Sequence, residues 1–109
     1  MDDEDAIDDA IEVVTAYFGV AAEDVTSTRR TQPVHRARCV GMYLALKSGV
    51  DVEEIGRRFG GRDRTVVVDF CRKIANQVST DVRQAQLLSS LQQACAEAAH
   101  DAMGSRRGG

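Results

Sequence analysis

Apolar residues recur at helical spacing along most of this chain, and no sustained stretch alternates apolar and polar residues with a period of two. That feature restricts the fold to helices packed on helices. The spacing predicts a first helix over about 4–18, with Ile7, Ile11, Val14 and Phe18 on one face and Gly19 as its stop. Ala22 to Val25 reads as one short helical turn. A helix over about 33–48 starts at Pro33 and carries Val34, Ala37, Val40, Gly41, Leu44 and Ala45 on one face. Asp51, with Glu54 three residues on, has the pattern of a capping box for a short helix whose Val52, Ile55 and Phe59 point inward. Gly60-Gly61 breaks that helix. Asp63 then caps another over about 63–78, with Val67, Phe70, Cys71, Ile74 and Val78 as its buried stripe. A last helix runs to about 102, with Val82, Ala85, Leu88, Leu91, Gln92 and Cys95 in phase. The expectation is an all-α, compact bundle of five to six helices over residues 1–103, followed by a disordered tail over 104–109.

Several function classes fall away on composition. No run of apolar residues is long enough for a membrane span, and the start Met1-Asp2-Asp3-Glu4-Asp5 is acidic where a secretory leader is basic. This points to the cytoplasm, at the nucleoid. Cys39, Cys71 and Cys95 are odd in number and lack C-x-x-C spacing, so free thiols are expected. His35 and Cys39 stand four apart on a helix but lack two further metal ligands, so neither metal nor cofactor is expected. No Ser-His-Asp or Cys-His arrangement is visible, and no G-x-x-x-x-G-K-[ST] phosphate loop, so the chain reads as a non-enzyme. His35 is expected on an exposed helix face beside a basic loop.

The net charge of −3 conceals a strong division. Residues 1–27 hold nine Asp/Glu and no Lys/Arg. Residues 28–73 hold eleven Lys/Arg against five Asp/Glu, and residues 74–109 are balanced. The basic stretch sets the local field, and its natural partner is a polyanion. It also contains a short helix, a glycine turn and a longer helix, which is a helix-turn-helix pattern. Arg57 precedes the turn, and Arg62, Asp63, Arg64 and Thr65 lie at the start of the second helix, where such a unit meets base edges. Arg grips guanine, a carboxylate accepts from cytosine, and Thr touches a thymine methyl.

The run Gly56-Arg57-Arg58-Phe59-Gly60-Gly61-Arg62-Asp63-Arg64-Thr65-Val66-Val67, followed by Cys71-Arg72-Lys73-Ile74, resembles the signature of the C-terminal domain of the bacterial replication initiator DnaA. Tyr17 to Val20, Asp24 to Arg30 and Val34 to Ala45 resemble the family's earlier helices and basic loop, so the resemblance spans roughly residues 11–92. It implies a Trp-repressor-like helical bundle that binds a short asymmetric DNA box. It implies that Arg30 reaches the minor groove beside Arg29, that Arg38 helps hold the backbone, and that Asp63, Arg64 and Thr65 face base edges. Arg36, Lys47, Arg57, Arg62 and Val66 complete the expected DNA-binding set. The sequence departs from the family at base-reading places: Arg64 stands for the usual His, Val66 for a second Thr, Cys39 for a Gln, and Gln32 where a basic residue is common.

The expected function is therefore sequence-specific binding of double-stranded DNA by a stand-alone transcription regulator or replication-associated factor. The alternatives are an excised initiator domain, or a protein-interaction module on the same scaffold. A partner would use the acidic first helix or the last helix; a monomer is expected, and dimerisation would run through the apolar face of residues 82–95.

Overall fold

The computed structural model describes residues 2–108 of the chain, with side chains through residue 99. Six helices follow in order: α1 (Asp3–Phe18), α2 (Ala22–Val25), α3 (Val34–Lys47), α4 (Val52–Arg58), α5 (Arg64–Thr80) and α6 (Val82–Gly108). There is no strand among the described residues. The all-helical bundle matches the sequence pattern. α6 runs past the expected stop at about 102, and the expected tail over 104–109 falls where side chains lie outside the described residues.

Local chemistry sets the boundaries. Asp2 caps α1 by accepting from the Glu4 amide, and Gly19 ends it in the left-handed region at φ 67°, donating to the Thr15 carbonyl. The first turn of α1 holds Asp3, Glu4 and Asp5, where the helix dipole favours negative charge. Asp51 accepts from the Glu53 amide as the cap of α4. Glu54, expected to complete a capping box, pairs with Arg57 instead. Pro33 is the residue before α3 rather than its first.

α3 is the central helix. Val34 and every residue from Ala37 to Ala45 are buried on it, so it has no wet face over that span. α1 packs along it with Ile7, Ala10, Ile11 and Val14. α5 packs on it with Val67, Cys71 and Ile74, while Phe70 and Val78 are half-buried at the edge of that stripe. α6 closes the bundle against α1, α3 and α5 through Leu88, Leu91 and Cys95. The apolar face of residues 82–95 that offered a dimerisation surface is thus largely engaged inside the bundle, although Val82 is exposed. α1 packs on α2, α3, α4 and α6 but not on α5.

The α4–α5 turn positions everything that follows. Phe59 is wholly buried beneath it. Gly60 and Gly61 both take positive φ, 90° and 69°, which a side chain disfavours. The Arg62 amide donates to the Gly56 carbonyl at 2.8 Å, folding the turn back on α4. A Cβ at Gly56 would sit 2.1 Å from the Arg62 carbonyl oxygen, so only glycine permits this closure.

Candidate nucleic-acid interface

Asp63 caps α5, its carboxylate accepting from the Thr65 amide at 2.7 Å. Arg64 and Thr65 are therefore the first two helical residues, and both are exposed. Beyond them the buried positions Val67, Cys71 and Ile74 force the opposite stripe outward. That stripe is Thr65, Asp69, Arg72 and Asn76, spaced four, three and four apart, and all four are exposed.

A groove runs between this stripe and the loop before α3. Arg30 lines it from the loop; Arg64, Thr65, Val66, Val68, Asp69, Phe70 and Arg72 line it from α5. Of the residues expected from sequence, the structure brings Arg30, Arg64, Thr65 and Val66 together here. Asp69 and Arg72 were not singled out from sequence. Their spacing of four and seven residues from Thr65 was the signal that would have found them.

The loop is held against the turn by two arginines. Arg38 donates from Nε to the Val25 carbonyl at 2.8 Å and from Nη2 to the Asp24 carbonyl at 2.9 Å. These carbonyls belong to the last turn of α2, where a cation is favoured. Arg62 donates from Nη1 to the Ser27 carbonyl at 3.1 Å and also to that of Phe59. Arg38 is 0% exposed, so its expected hold on the DNA backbone is corrected: its guanidinium is sealed under the loop that carries Arg29 and Arg30. Arg29 and Arg30 are exposed, and Arg29 pairs with Asp24 at 3.7 Å.

Other expected contacts are placed elsewhere. Arg36 is half-buried and bridges α3 to the helices beside it, donating to the side-chain oxygens of Gln77 and Gln84. Lys47 lies over the Tyr43 ring at the far end of α3, about 20 Å along the axis from Val34 at 1.5 Å per residue, so it does not join the groove. Arg57 is exposed and pairs with Glu54. Its neighbour Arg58 turns to the first helix, reaching Asp8 at 2.6 Å and Glu4 at 3.9 Å.

His35, expected as exposed surface, is half-buried instead. Its ring meets Phe70 edge to face at 5.2 Å, and its Nε2 lies 3.7 Å from the Cys39 sulfur. Burial lowers its pKa, and Arg38, Arg30, Arg62 and Lys73 lower it further. The cation-rich surroundings thus favour a neutral imidazole. The three cysteines are free and buried. Burial pushes the Cys71 and Cys95 thiols up to about 11, which suits packing rather than reactivity. No group of three metal-ligating side chains is assembled among the described residues, and no helix among them is long and apolar enough to cross a membrane.

The sequence model described as the bacterial dnaA protein helix-turn-helix matches residues 7–74, from α1 into α5. The chromosomal replication initiator protein DnaA of Brucella abortus is 41% identical over 86 residues, covering 78% of this chain and 17% of that protein. The protein of the same name from Rhodopseudomonas palustris strain BisB5 is 45% identical over 86 residues, covering 78% and 18%. That from Xanthobacter autotrophicus is 40% identical over 93 residues, covering 84% and 18%. The chain thus spans less than a fifth of the length of these relatives.

Proposed function

Because this chain belongs to the bacterial DnaA helix-turn-helix family, we propose that it binds double-stranded DNA with sequence preference and acts in replication or transcription by occupying its sites. The carrying observation is the groove that joins Arg30 to the exposed start of α5. In this reading the first turns of α5 enter the major groove, and Arg64 and Thr65 meet base edges. Arg30, on its braced loop, reaches the neighbouring minor groove. Arg29, Arg72 and Lys73, all exposed, flank the docked helix and meet phosphates. Arg38 and Arg62 act behind the surface by fixing the loop that presents Arg30.

The acidic first helix does not oppose this arrangement. It packs on the other elements of the bundle without touching α5, and Arg58 engages two of its carboxylates.

The test is a salt series of fluorescence anisotropy titrations on random duplex and on duplex carrying an initiator-type box. If about four of the cations lining and flanking the groove displace counterions, log affinity falls with log salt at a slope of about −3 to −4. Binding to both duplexes is expected, with a preference for one class of site emerging as salt rises. No binding at low salt, or affinity indifferent to salt, contradicts the proposal.

A further inference from the structure

An acidic side chain stands in the middle of an otherwise basic recognition surface. Asp69 lines the groove with Arg30, Arg64, Thr65 and Arg72, and it occupies the outward stripe midway between Thr65 and Arg72. A carboxylate there is unfavourable for phosphate binding, since it repels the ligand's backbone. It is useful only to something that donates hydrogen bonds. In the major groove those donors are the exocyclic amino groups, cytosine N4 and adenine N6, whereas guanine and thymine present acceptors at the corresponding edge.

Resting on the DNA-binding reading above, we propose that Asp69 is a specificity-determining residue. It accepts a hydrogen bond from a cytosine amino group and repels the oxygen of a guanine or thymine in its place. Three observations carry this. The stripe of Thr65, Asp69 and Arg72 has the spacing with which a recognition helix presents successive side chains to the groove. Asp63 accepts from the Thr65 amide through one carboxylate oxygen as the cap of α5, and Glu53 lies against Arg64 from α4, whereas Asp69 is the carboxylate that lines the groove itself. Lys73 lies 3.4 Å from Asp69 on the next turn, and its charge offsets the repulsion between Asp69 and nearby phosphates. Asp69 is exposed and takes no part in the core, so its side chain can turn from Lys73 toward a base. Discrimination here works as much by rejecting wrong bases as by favouring the right one.

The experiment compares the wild type, Asp69→Ala and Asp69→Asn. A binding site is selected from random duplex DNA by the wild type, and anisotropy titrations follow on duplexes carrying each base at each position of that site. The wild type is expected to prefer cytosine at one position by on the order of tenfold. Asp69→Ala should flatten that position alone, with the gain in affinity largest on duplexes that carry guanine or thymine there. Asp69→Asn should move the preference there toward adenine, whose N6 and N7 match an amide. The proposal is overturned if Asp69→Ala keeps the wild-type base profile while its affinity rises equally on all duplexes, because Asp69 then acts only as a charge. Wild-type protein that binds no duplex defeats the DNA reading itself, and this proposal with it. Circular dichroism on the variants establishes that the fold is retained.

Discussion

Arg38 shows how a charged side chain serves a binding surface without being on it. A guanidinium sealed under the loop has its Nε and Nη2 matched to two carbonyls. Removing it takes the Nε donor from the Val25 carbonyl and opens a void in the centre of the bundle. Arg38→Ala is expected to cost about 2–4 kcal/mol, read as a lowered urea midpoint. Arg38→Ala that is as stable as the wild type would show that the loop is held without it. Arg64 lies at the opposite extreme, 65% exposed and 3.6 Å from Glu53. An exposed pair of this kind contributes little to stability, so Arg64→Ala should leave folding unchanged. Its expected cost is about 1–3 kcal/mol of binding, concentrated at one base pair where guanine is preferred. Equal loss on every sequence would reduce Arg64 to a phosphate contact. His35 gives a pH signature. Its folded pKa is depressed below the ordinary 6.5 by burial first and then by Arg38, Arg30, Arg62 and Lys73. As pH falls through about 6.5 the unfolded chain takes up a proton that the folded chain resists, so this contribution to stability is lost toward acid. Urea midpoints at about pH 7.5 and about pH 5.5 should converge for wild type and His35→Gln in a defined way: the acid-induced drop is smaller in the variant. An identical drop in both proteins would show that His35 does not contribute to the pH dependence of stability.

At the scale of elements, the turn between α4 and α5 determines where the recognition helix starts. The closure of Arg62 onto Gly56 leaves no room for a side chain, so Gly56→Ala should cost more than about 2 kcal/mol and weaken DNA binding through a displaced α5. Thermal melts and a gel shift on the same variant check both; unchanged stability would mean that the turn can open without penalty. The elements themselves were legible in the sequence because their signals are local. Asp51 and Asp63 are followed by helical runs, Gly19 ends one, and the spacing of Val67, Cys71 and Ile74 orients α5. The start of the candidate face, Arg64 to Val66, was legible for the same reason. What was not legible depended on partners distant in sequence. Arg36 finds Gln84, 48 residues away, and Arg38 finds the end of α2; neither pairing leaves a trace in residue spacing. A basic residue on a helix looks the same in sequence whether it meets a phosphate or a buried carbonyl. Lys47 carries the same charge as the groove cations, but the length of α3 carries it to the other end of the bundle. Asp69 and Arg72 follow from the helical period, but they lie one and two turns past the helix start, where basic residues alone draw attention.

The whole molecule separates its charges in space as it does in sequence. The carboxylates of 2–12 sit on α1, which packs against α3 away from α5, while the loop and α5 carry the groove cations. Arg58 engages the acidic helix at α4, fixing which side of the helix-turn-helix remains open. The domain therefore has one face suited to a polyanion and another that repels it within the screening length, about 10 Å at 0.1 M salt. Amide hydrogen exchange with and without duplex DNA tests this most directly, since it reports every element at once. Slowed exchange is expected in the loop at Arg29–Arg30 and in the first turns of α5, with residues 2–12 unchanged. Protection centred on α1, with α5 unaffected, would contradict it.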